Sequence, residues 1–306
     1  SVYPDRLAAL RQTSVAGNIP RRQTDQWLQI EQFTAPCGKY PKGRTMVGPF
    51  IFFDQMGPAL MQPGQGINVR PHPHIGLATV TWLFDGSIYH RDSLGSSQPI
   101  SPGELNWMTA GKGIVHCEMF PLRDRHGPNT GELFQIWLNL PAKQKMAEPH
   151  FTMMWHEHIP KVQFKDEAGL QTDVVLVAGQ LDQARGLPPP PDSWASDPDA
   201  DLAIFTVRMQ AGAKWKLPRA RHPQTRRLLY VFAGQGLHIE TETVAHGHVA
   251  EVDAQHDLWL RNGPAVTECL MLQAKPIGEP VAQKRGWVST SAVSPTFAIC
   301  SDRIQD

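Results

Sequence analysis

The chain has 306 residues, of which 41% are hydrophobic and 19% are charged, and its 29 basic side chains balance its 29 acidic ones. This length allows two ordinary hydrophobic cores and exceeds what one small barrel requires. The zero net charge excludes a broad basic field of the kind that collects nucleic acid or anionic lipid, so we expect no direct nucleic-acid partner.

The chain begins with a mixed segment, since residues 1–17 contain charged side chains and no continuous apolar stretch typical of a signal peptide. The longest apolar runs, such as residues 174–178 and 228–233, are far shorter than the roughly 18 to 20 residues of a membrane helix. The four cysteines are scattered without a CxxC pair, which indicates reduced thiols. We therefore expect a cytoplasmic protein with no membrane partner.

Glycine and proline, with 25 and 27 residues, divide the chain into short stretches rich in Val, Ile, Phe, Trp and Thr. This pattern is typical of strands and turns. In the first half, residues 79–84 are predicted as a strand that runs into a turn at Asp85 and Gly86. Residues 135–140 alternate with the period of a strand that has one buried face. We therefore predict an all-β fold.

A proline-rich segment, residues 185–200, contains four consecutive prolines that cannot enter the interior of a sheet. We interpret it as an exposed loop inserted into the second half. Strand-like sequence gives way to mixed sequence near residues 141–160. We therefore predict two domains, residues 1–145 and residues 146–306, with the insertion near residues 185–200.

The second half repeats the strand pattern at residues 202–209, 228–232 and 268–273. When the strand-to-turn junctions are aligned, residues 82–86 fall on residues 230–234, an offset of 148 residues. This correspondence predicts an internal duplication.

Two histidines, His72 and His74, stand at positions i and i+2, and 42 residues after His74 comes a second pair with the same spacing, His116 and Glu118. In an extended strand the two side chains of such a pair project from one face, as two ligands of one ion require. We predict that these four residues bind one mononuclear divalent metal. Imidazole and carboxylate ligands suit Fe, Mn, Ni, Cu or Zn, and four protein ligands leave positions open for substrate or O2.

Three other histidine motifs receive a different interpretation. Residues 156–158 and 246–248 have the same HxH spacing but no second pair in strand-like sequence, so we assign both to loops. His90 and Asp92 are interpreted as a solvated ion pair that closes a turn.

The second half offers only part of a metal motif. At the offset of 148 residues His74 falls on His222, but His72 falls on Ala220, and residues 262–267 contain neither His nor Glu. One imidazole cannot hold an ion alone, so we predict that the second domain contains no metal.

The arrangement of the first motifs resembles a cupin barrel, in which HxH is followed by a turn glycine, here Gly86, and then by GxxH, here residues 113–116. A cupin normally has a glutamate shortly after HxH, where this chain has Ala78 and Thr79, and Glu118 replaces that carboxylate. This replacement is typical of the pirin family, which the chain resembles over roughly residues 45–282. The matching segments are residues 47–54, 72–76, 90–95, 107–116 and 276–280.

The resemblance implies a bicupin, that is, two jelly-roll β-barrels in one chain, with one iron, normally Fe(II), held in the first barrel by three histidines and one glutamate. It also implies a dioxygenase similar to quercetin 2,3-dioxygenase, whose partners are O2 and a flavonol or a similar enolisable phenolic. Glu118 would then accept the hydroxyl proton of the substrate. The alternative is a redox-sensitive regulatory protein that binds protein partners such as transcription factors or metabolic enzymes.

Two features depart from the family pattern. Cys117 stands where pirins usually have serine, which places a thiol beside the metal ligands and predicts a site sensitive to oxidation. The tail after residue 282 does not resemble the usual family ending.

Overall fold

The computed structural model describes residues 28–32, 47–64, 66–284 and 287–289, with side chains described for residues 47–64 and 66–281. Within these residues the regular structure consists of strands and three single turns of 3-10 helix. None of the described turns approaches the length or apolar character of a helix that crosses a membrane.

The strands of the first half are β1 Leu28–Gln32, β2 Phe50–Met61, β3 Ile67–His74, β4 Leu77–Asp85, β5 Ile88–Asp92, β6 Ser97–Ile100, β7 Leu105–Thr109, β8 Ile114–Phe120, β9 Asn129–Asn139 and β10 His150–Met154. Those of the second half are β11 Lys161–Lys165, β12 Gln171–Ala178, β13 Gln180–Leu181, β14 Ala184–Arg185, β15 Ala203–Met209, β16 Lys214–Leu217, β17 Arg226–Ala233, β18 Gly236–Ile239, β19 Glu242–Ala245, β20 His248–Val252, β21 Leu258–Asn262, β22 Thr267–Ala274, β23 Ala282–Lys284 and β24 Trp287–Ser289. The 3-10 turns are Ala142–Gln144, Trp194–Ser196 and Pro198–Ala200.

The strands form two barrels, each of which combines a large sheet with a four-stranded sheet. In the first barrel the large sheet has the order β10-β7-β4-β9-β2 and the small sheet the order β3-β8-β5-β6. In the second barrel the orders are β1-β20-β17-β22-β15-β12-β11 and β16-β21-β18-β19. The four-stranded sheets correspond strand by strand, with β18 in the place of β5, and the five strands of the first large sheet correspond to β1-β20-β17-β22-β15 of the second, which has β12 and β11 in addition. This is the arrangement that an internal duplication predicts.

One edge strand of each large sheet comes from the other side of the predicted domain boundary. His150–Met154 pairs with Leu105–Thr109 of the first barrel, whereas Leu28–Gln32 pairs with His248–Val252 of the second. The division into residues 1–145 and 146–306 therefore stays a proposal for the bulk of each barrel and does not hold for these edge strands. For these two strands, order along the chain does not predict which sheet the strand joins.

The two barrels share a hydrophobic core where their large sheets pack face to face. Every residue of β4 except the last is buried, because both faces of this strand are covered. Val80, Trp82 and Phe84 point away from the interior of the first barrel and join this core. Here the rings of Phe84 and Phe134 lie 5.8 Å and 5.0 Å from the ring of Phe232 in the second barrel. Such edge-to-face contacts add to the stabilisation from apolar burial.

A polar contact is enclosed within the same interface. The hydroxyl of Tyr230 donates to Oε1 of Gln55 over 2.7 Å, and Nε2 of Gln55 donates to Oε1 of Glu132 over 2.9 Å. All three residues are buried, and burial raises the pKa of Tyr230. The hydroxyl is therefore protonated and able to donate near neutral pH.

Tyr230→Phe is expected to lower the free energy of unfolding by about 1 to 3 kcal/mol, because Oε1 of Gln55 loses its donor where water cannot replace it. Urea unfolding of both proteins measures the difference. Tyr89→Phe is the matched control, since the Tyr89 hydroxyl contacts the Ser97 hydroxyl at the surface and its loss should change stability by less than about 0.5 kcal/mol. Equal effects of the two substitutions would contradict the assignment.

The proline-rich segment is only in part the exposed loop that its composition predicts, since Pro188 and Pro191 are exposed but other residues of the segment are covered. Pro190 and Ser193 are buried, and the indole N–H of Trp194 donates to the backbone oxygen of Lys275 over 3.0 Å. Leu187 and Trp194 pack against the shared core. Prolines are excluded from the sheet interior as expected, but nothing prevents them from covering the edge of a core.

Candidate metal centre

The two i, i+2 pairs lie on adjacent strands of the small sheet in the first barrel. β3 and β8 are antiparallel, and His72 stands directly opposite His116. Along β8 the buried side chains alternate with less buried ones, so His116 and Glu118 both point into the barrel. The predicted extended geometry of both pairs is therefore observed.

The rings of His72, His74 and His116 converge on one point. The ring centroids are separated by 4.9 Å for His72 and His74, 4.4 Å for His72 and His116, and 4.9 Å for His74 and His116. Nε2 of His72 lies 3.0 Å from Nε2 of His116. The three side chains offer nitrogen atoms within 4.8 Å of one another, which is the spacing that ligands of one ion need.

The protonation of these rings suits metal binding. Nδ1 of His72 lies 2.9 Å from the backbone oxygen of Arg70, which can only accept, so the proton sits on Nδ1 and Nε2 keeps its lone pair. Burial, together with the neighbouring imidazoles of His74 and His72, lowers the pKa of His116 to about 2. His116 is therefore a neutral imidazole at any pH near neutrality, which is the form that ligates a metal.

Glu118 is buried on the same strand but points to the neighbouring large sheet. Its Oε1 lies 3.2 Å from the Thr81 hydroxyl, which is also 3.2 Å from Oε1 of Gln135 and donates to one of the two at a time. Burial raises the pKa of Glu118 to about 7, and the Thr81 hydrogen bond opposes this only in part. A carboxyl poised near pH 7 can accept and return a proton.

The four predicted ligands are thus distributed over two overlapping groups of three. His72, His74 and His116 form one group, and Glu118 forms the other with His116 and His90. His116 belongs to both.

His90 is the residue that the sequence interpretation placed wrongly. It is fully buried, and its Nε2 lies 2.9 Å from Oδ2 of Asp92, whose side chain is also fully buried, so the pair is not solvated. Nδ1 of His90 lies 3.4 Å from Nδ2 of Asn106, and the ring stacks on Phe151 at 4.6 Å. The sequence signal for it was the i, i+2 spacing of His90 and Asp92, which matches that of the ligand pairs, and the structure places His90 opposite Glu118 in β5 and β8.

Two side chains of β9 form the wall of the centre on the side of the large sheet. Gln135 and Trp137 alternate with fully buried neighbours and face the interior of the first barrel, so the alternation predicted for residues 135–140 is observed over residues 135–138, whereas residues 139 and 140 are both buried. The ring of Trp137 meets the ring of His74 edge to face at 5.1 Å and the ring of Phe52 at 4.6 Å. The imidazole is thereby fixed in orientation by apolar contacts.

The turn after His74 is held by buried polar contacts. Nζ of Lys145 donates to the backbone oxygen of Gly76 over 3.0 Å and to Oδ1 of Asn139 over 2.6 Å. The backbone N–H of Gly76 donates to the backbone oxygen of Gly111. A Cβ atom on residue 111 would lie 2.0 Å from the backbone oxygen of Ala147. Only glycine fits at position 111, and the glycine-rich turn before GxxH is explained by this close approach.

Lys145 gives a pH dependence that can be tested. Burial lowers the pKa of Lys145 to about 8, and the negative charge of Glu279 opposes this shift only in part. Between about pH 8 and 10 the unfolded chain binds a proton here that the folded chain does not, so stability increases with pH. Relative to Lys145→Met, the wild-type free energy of unfolding should rise by about 1 to 2 kcal/mol across this range. Urea unfolding of both proteins at several pH values measures it, and a constant or falling difference would disprove the assignment.

The remaining predicted features lie away from the centre. Cys117 is half-buried and points to the opposite face of β8 from His116 and Glu118, so its thiol is a sequence neighbour of the ligands without facing the ion. Residues 156–158 form a turn as predicted, whereas His248 begins β20 and does not lie in a loop. Nδ1 of His222 accepts from the backbone N–H of Gln224, and the absence of metal from the second barrel stays a prediction.

Comparison with known proteins identifies the class that this fold and this cluster define, a double-barrel cupin. The sequence model described as Pirin matches residues 31–138, and that described as Pirin C-terminal cupin domain matches residues 204–293. A pirin-like protein of Caulobacter vibrioides is 36% identical over 217 residues, covering 69% of this chain and 70% of the relative. The chain belongs to the pirin family.

Other relatives extend the comparison. A second pirin-like protein of Caulobacter vibrioides is 47% identical over 147 residues, which cover 47% of this chain and only 49% of that relative. A Pseudomonas aeruginosa protein with the provisional name quercetin 2,3-dioxygenase is 31% identical, covering 77% of this chain and 78% of the relative. The crystal structure of quercetin 2,3-dioxygenase from Acinetobacter baumannii covers 92% of both chains with a TM-score of 0.73 and 23% identity, which shows a shared fold.

Proposed function

We propose that this chain is a metal-dependent dioxygenase that acts on a flavonol or a similar enolisable phenolic. The observation that carries the proposal is the cluster itself, in which the imidazoles of His72, His74 and His116 converge inside the first barrel and the buried carboxyl of Glu118 lies beside His116. The provisional name of the Pseudomonas aeruginosa relative supports the choice of substrate class.

The metal would be held by His72, His74, His116 and Glu118, and we propose Fe(II). The residues fit a divalent ion, because the proton of His72 is directed to a backbone carbonyl and His116 is neutral. When bound, the ion supplies a Lewis acid and a template on which a phenolic oxygen and O2 can meet.

The side chains around the cluster have separate roles in this proposal. Glu118 accepts the hydroxyl proton of the substrate on a carboxylate oxygen, and the Thr81 hydroxyl, when it donates to Oε1, fixes the direction of the carboxyl group. Trp137 and Phe52 provide an aromatic wall beside His74 against which a flat phenolic ring can stack.

The proposal is tested by O2 uptake of Fe(II)-loaded protein in the presence of a panel of flavonols. We expect uptake that depends on flavonol and metal, that is lost in His74→Ala, and that is kept in His126→Ala, in which an exposed histidine of the same barrel is removed. Loaded wild-type protein that consumes no O2 with any flavonol would disprove the dioxygenase function and favour the regulatory alternative.

A further inference from the structure

The buried residue His90 belongs to none of the functions assigned so far, yet it has the environment of a metal ligand. A ligating histidine commonly donates its second ring N–H to a carboxylate, which fixes the tautomer. The contact between Nε2 of His90 and Oδ2 of Asp92, at 2.9 Å with both side chains fully buried, has this geometry. It places the proton on Nε2 and leaves the lone pair of Nδ1 available.

The lone pair of His90 Nδ1 has a weak partner. Nδ2 of Asn106 lies 3.4 Å away, at the long limit of a hydrogen bond, so little energy is needed to replace it. Two further ligand atoms stand nearby, since His90, His116 and Glu118 offer one atom each within 4.8 Å of one another. All three residues are buried.

The negative charge available to an ion differs between the group of His72, His74 and His116 and the group of His90, His116 and Glu118. The imidazoles of His72, His74 and His116 bring no negative charge to a divalent ion. Glu118 is shared with the ion held by His72, His74 and His116, but Asp92 adds a second carboxylate behind His90 alone, and a buried ion is stabilised most where opposite charges compensate it. His72, by contrast, is half-buried, so an ion on its side is partly compensated by solvent.

We propose that the first barrel contains a second position for a divalent transition-metal ion, formed by His90, His116 and Glu118 with Asp92 as the carboxylate behind His90. Because His116 belongs to both groups, the two positions exclude each other and the chain holds one ion at a time. The position is a property of these side chains and does not depend on the dioxygenase function.

Co(II) binding tests the proposal without substrate or O2. In His72→Ala/His74→Ala, which disables the first group, Co(II) should still bind at one ion per chain with a visible absorption spectrum different from that of the wild type. Adding His90→Ala should abolish binding. Adding Asp92→Asn should weaken it by about 10- to 100-fold, as expected for loss of the carboxylate behind a ligand. Adding His126→Ala instead should change nothing.

Two outcomes would overturn the proposal. One is a double variant that is folded by circular dichroism and binds no Co(II) although the wild type binds one ion. The other is a double variant whose binding is the same with and without His90. If the alanine variant does not fold, His72→Gln/His74→Gln, which keeps most of the side-chain volume, replaces it with the same expected results.

Discussion

Replacing Glu118 with glutamine is expected to lower flavonol-dependent O2 uptake by about 10²- to 10⁴-fold, the range typical of a lost general base. The amide keeps the shape of the side chain and its contact with the Thr81 hydroxyl, but it cannot accept a proton. The buried carboxyl is also replaced by a neutral group, so the fold should be kept or slightly stabilised near neutral pH.

The measurement compares turnover at saturating flavonol for metal-replete wild type, Glu118→Gln and the control Glu167→Gln, whose side chain is exposed in a turn of the second barrel. Metal content and thermal unfolding of each protein separate loss of proton transfer from loss of ion or fold. Turnover of Glu118→Gln at the wild-type rate would remove Glu118 from the proposed mechanism.

His116→Ala is expected to lose both metal and activity, with metal content falling from about one ion per chain to near zero. Among the described side chains, His116 alone belongs to both ligand groups inside the first barrel, so its loss leaves only the group of Glu104, His156 and Glu157, in which His156 and Glu157 are exposed. Removing a large buried side chain also leaves a cavity, which costs about 2 to 5 kcal/mol for comparable side chains.

Metal analysis after dialysis gives the occupancy, and His116→Gln, which fills most of the volume, separates loss of the ligand from loss of stability. His126→Ala should retain the wild-type metal content. A folded His116 variant that still holds one ion would show that His116 is not a ligand.

Much of the first barrel followed from local sequence, because strand periodicity and turn glycines are local properties. Residues 79–84 were predicted as a strand, and the strand found is Leu77–Asp85. The grouping of His72 and His74 with His116 and Glu118 could also be predicted from the sequence, since the i, i+2 spacing places both residues of a pair on the same face of a strand.

What the sequence could not provide depends on contacts between distant segments. His90 and Asp92 form the same i, i+2 pattern as the ligands, but only the register of β5 against β8 places His90 opposite Glu118 and away from solvent. Composition likewise predicted an exposed proline-rich segment. The core against which Leu187 and Trp194 pack is built from both halves of the chain, so local sequence could not show that this segment is partly covered.

The exchange of edge strands bears on how the chain folds as it is synthesised. β1 leaves the ribosome about 220 residues before its partner β20, and β7 is synthesised about 40 residues before its partner β10, which is the last strand of the first barrel along the chain. Until then the edge of β7 presents unpaired backbone groups, and the face with Val80, Trp82 and Phe84 lacks its cover, both of which favour aggregation. Pairings between such distant segments form slowly. The two barrels, although they follow one another along the chain, are therefore expected to be completed together late in folding, and a chain stopped after residue 145 should require a chaperone to remain in solution.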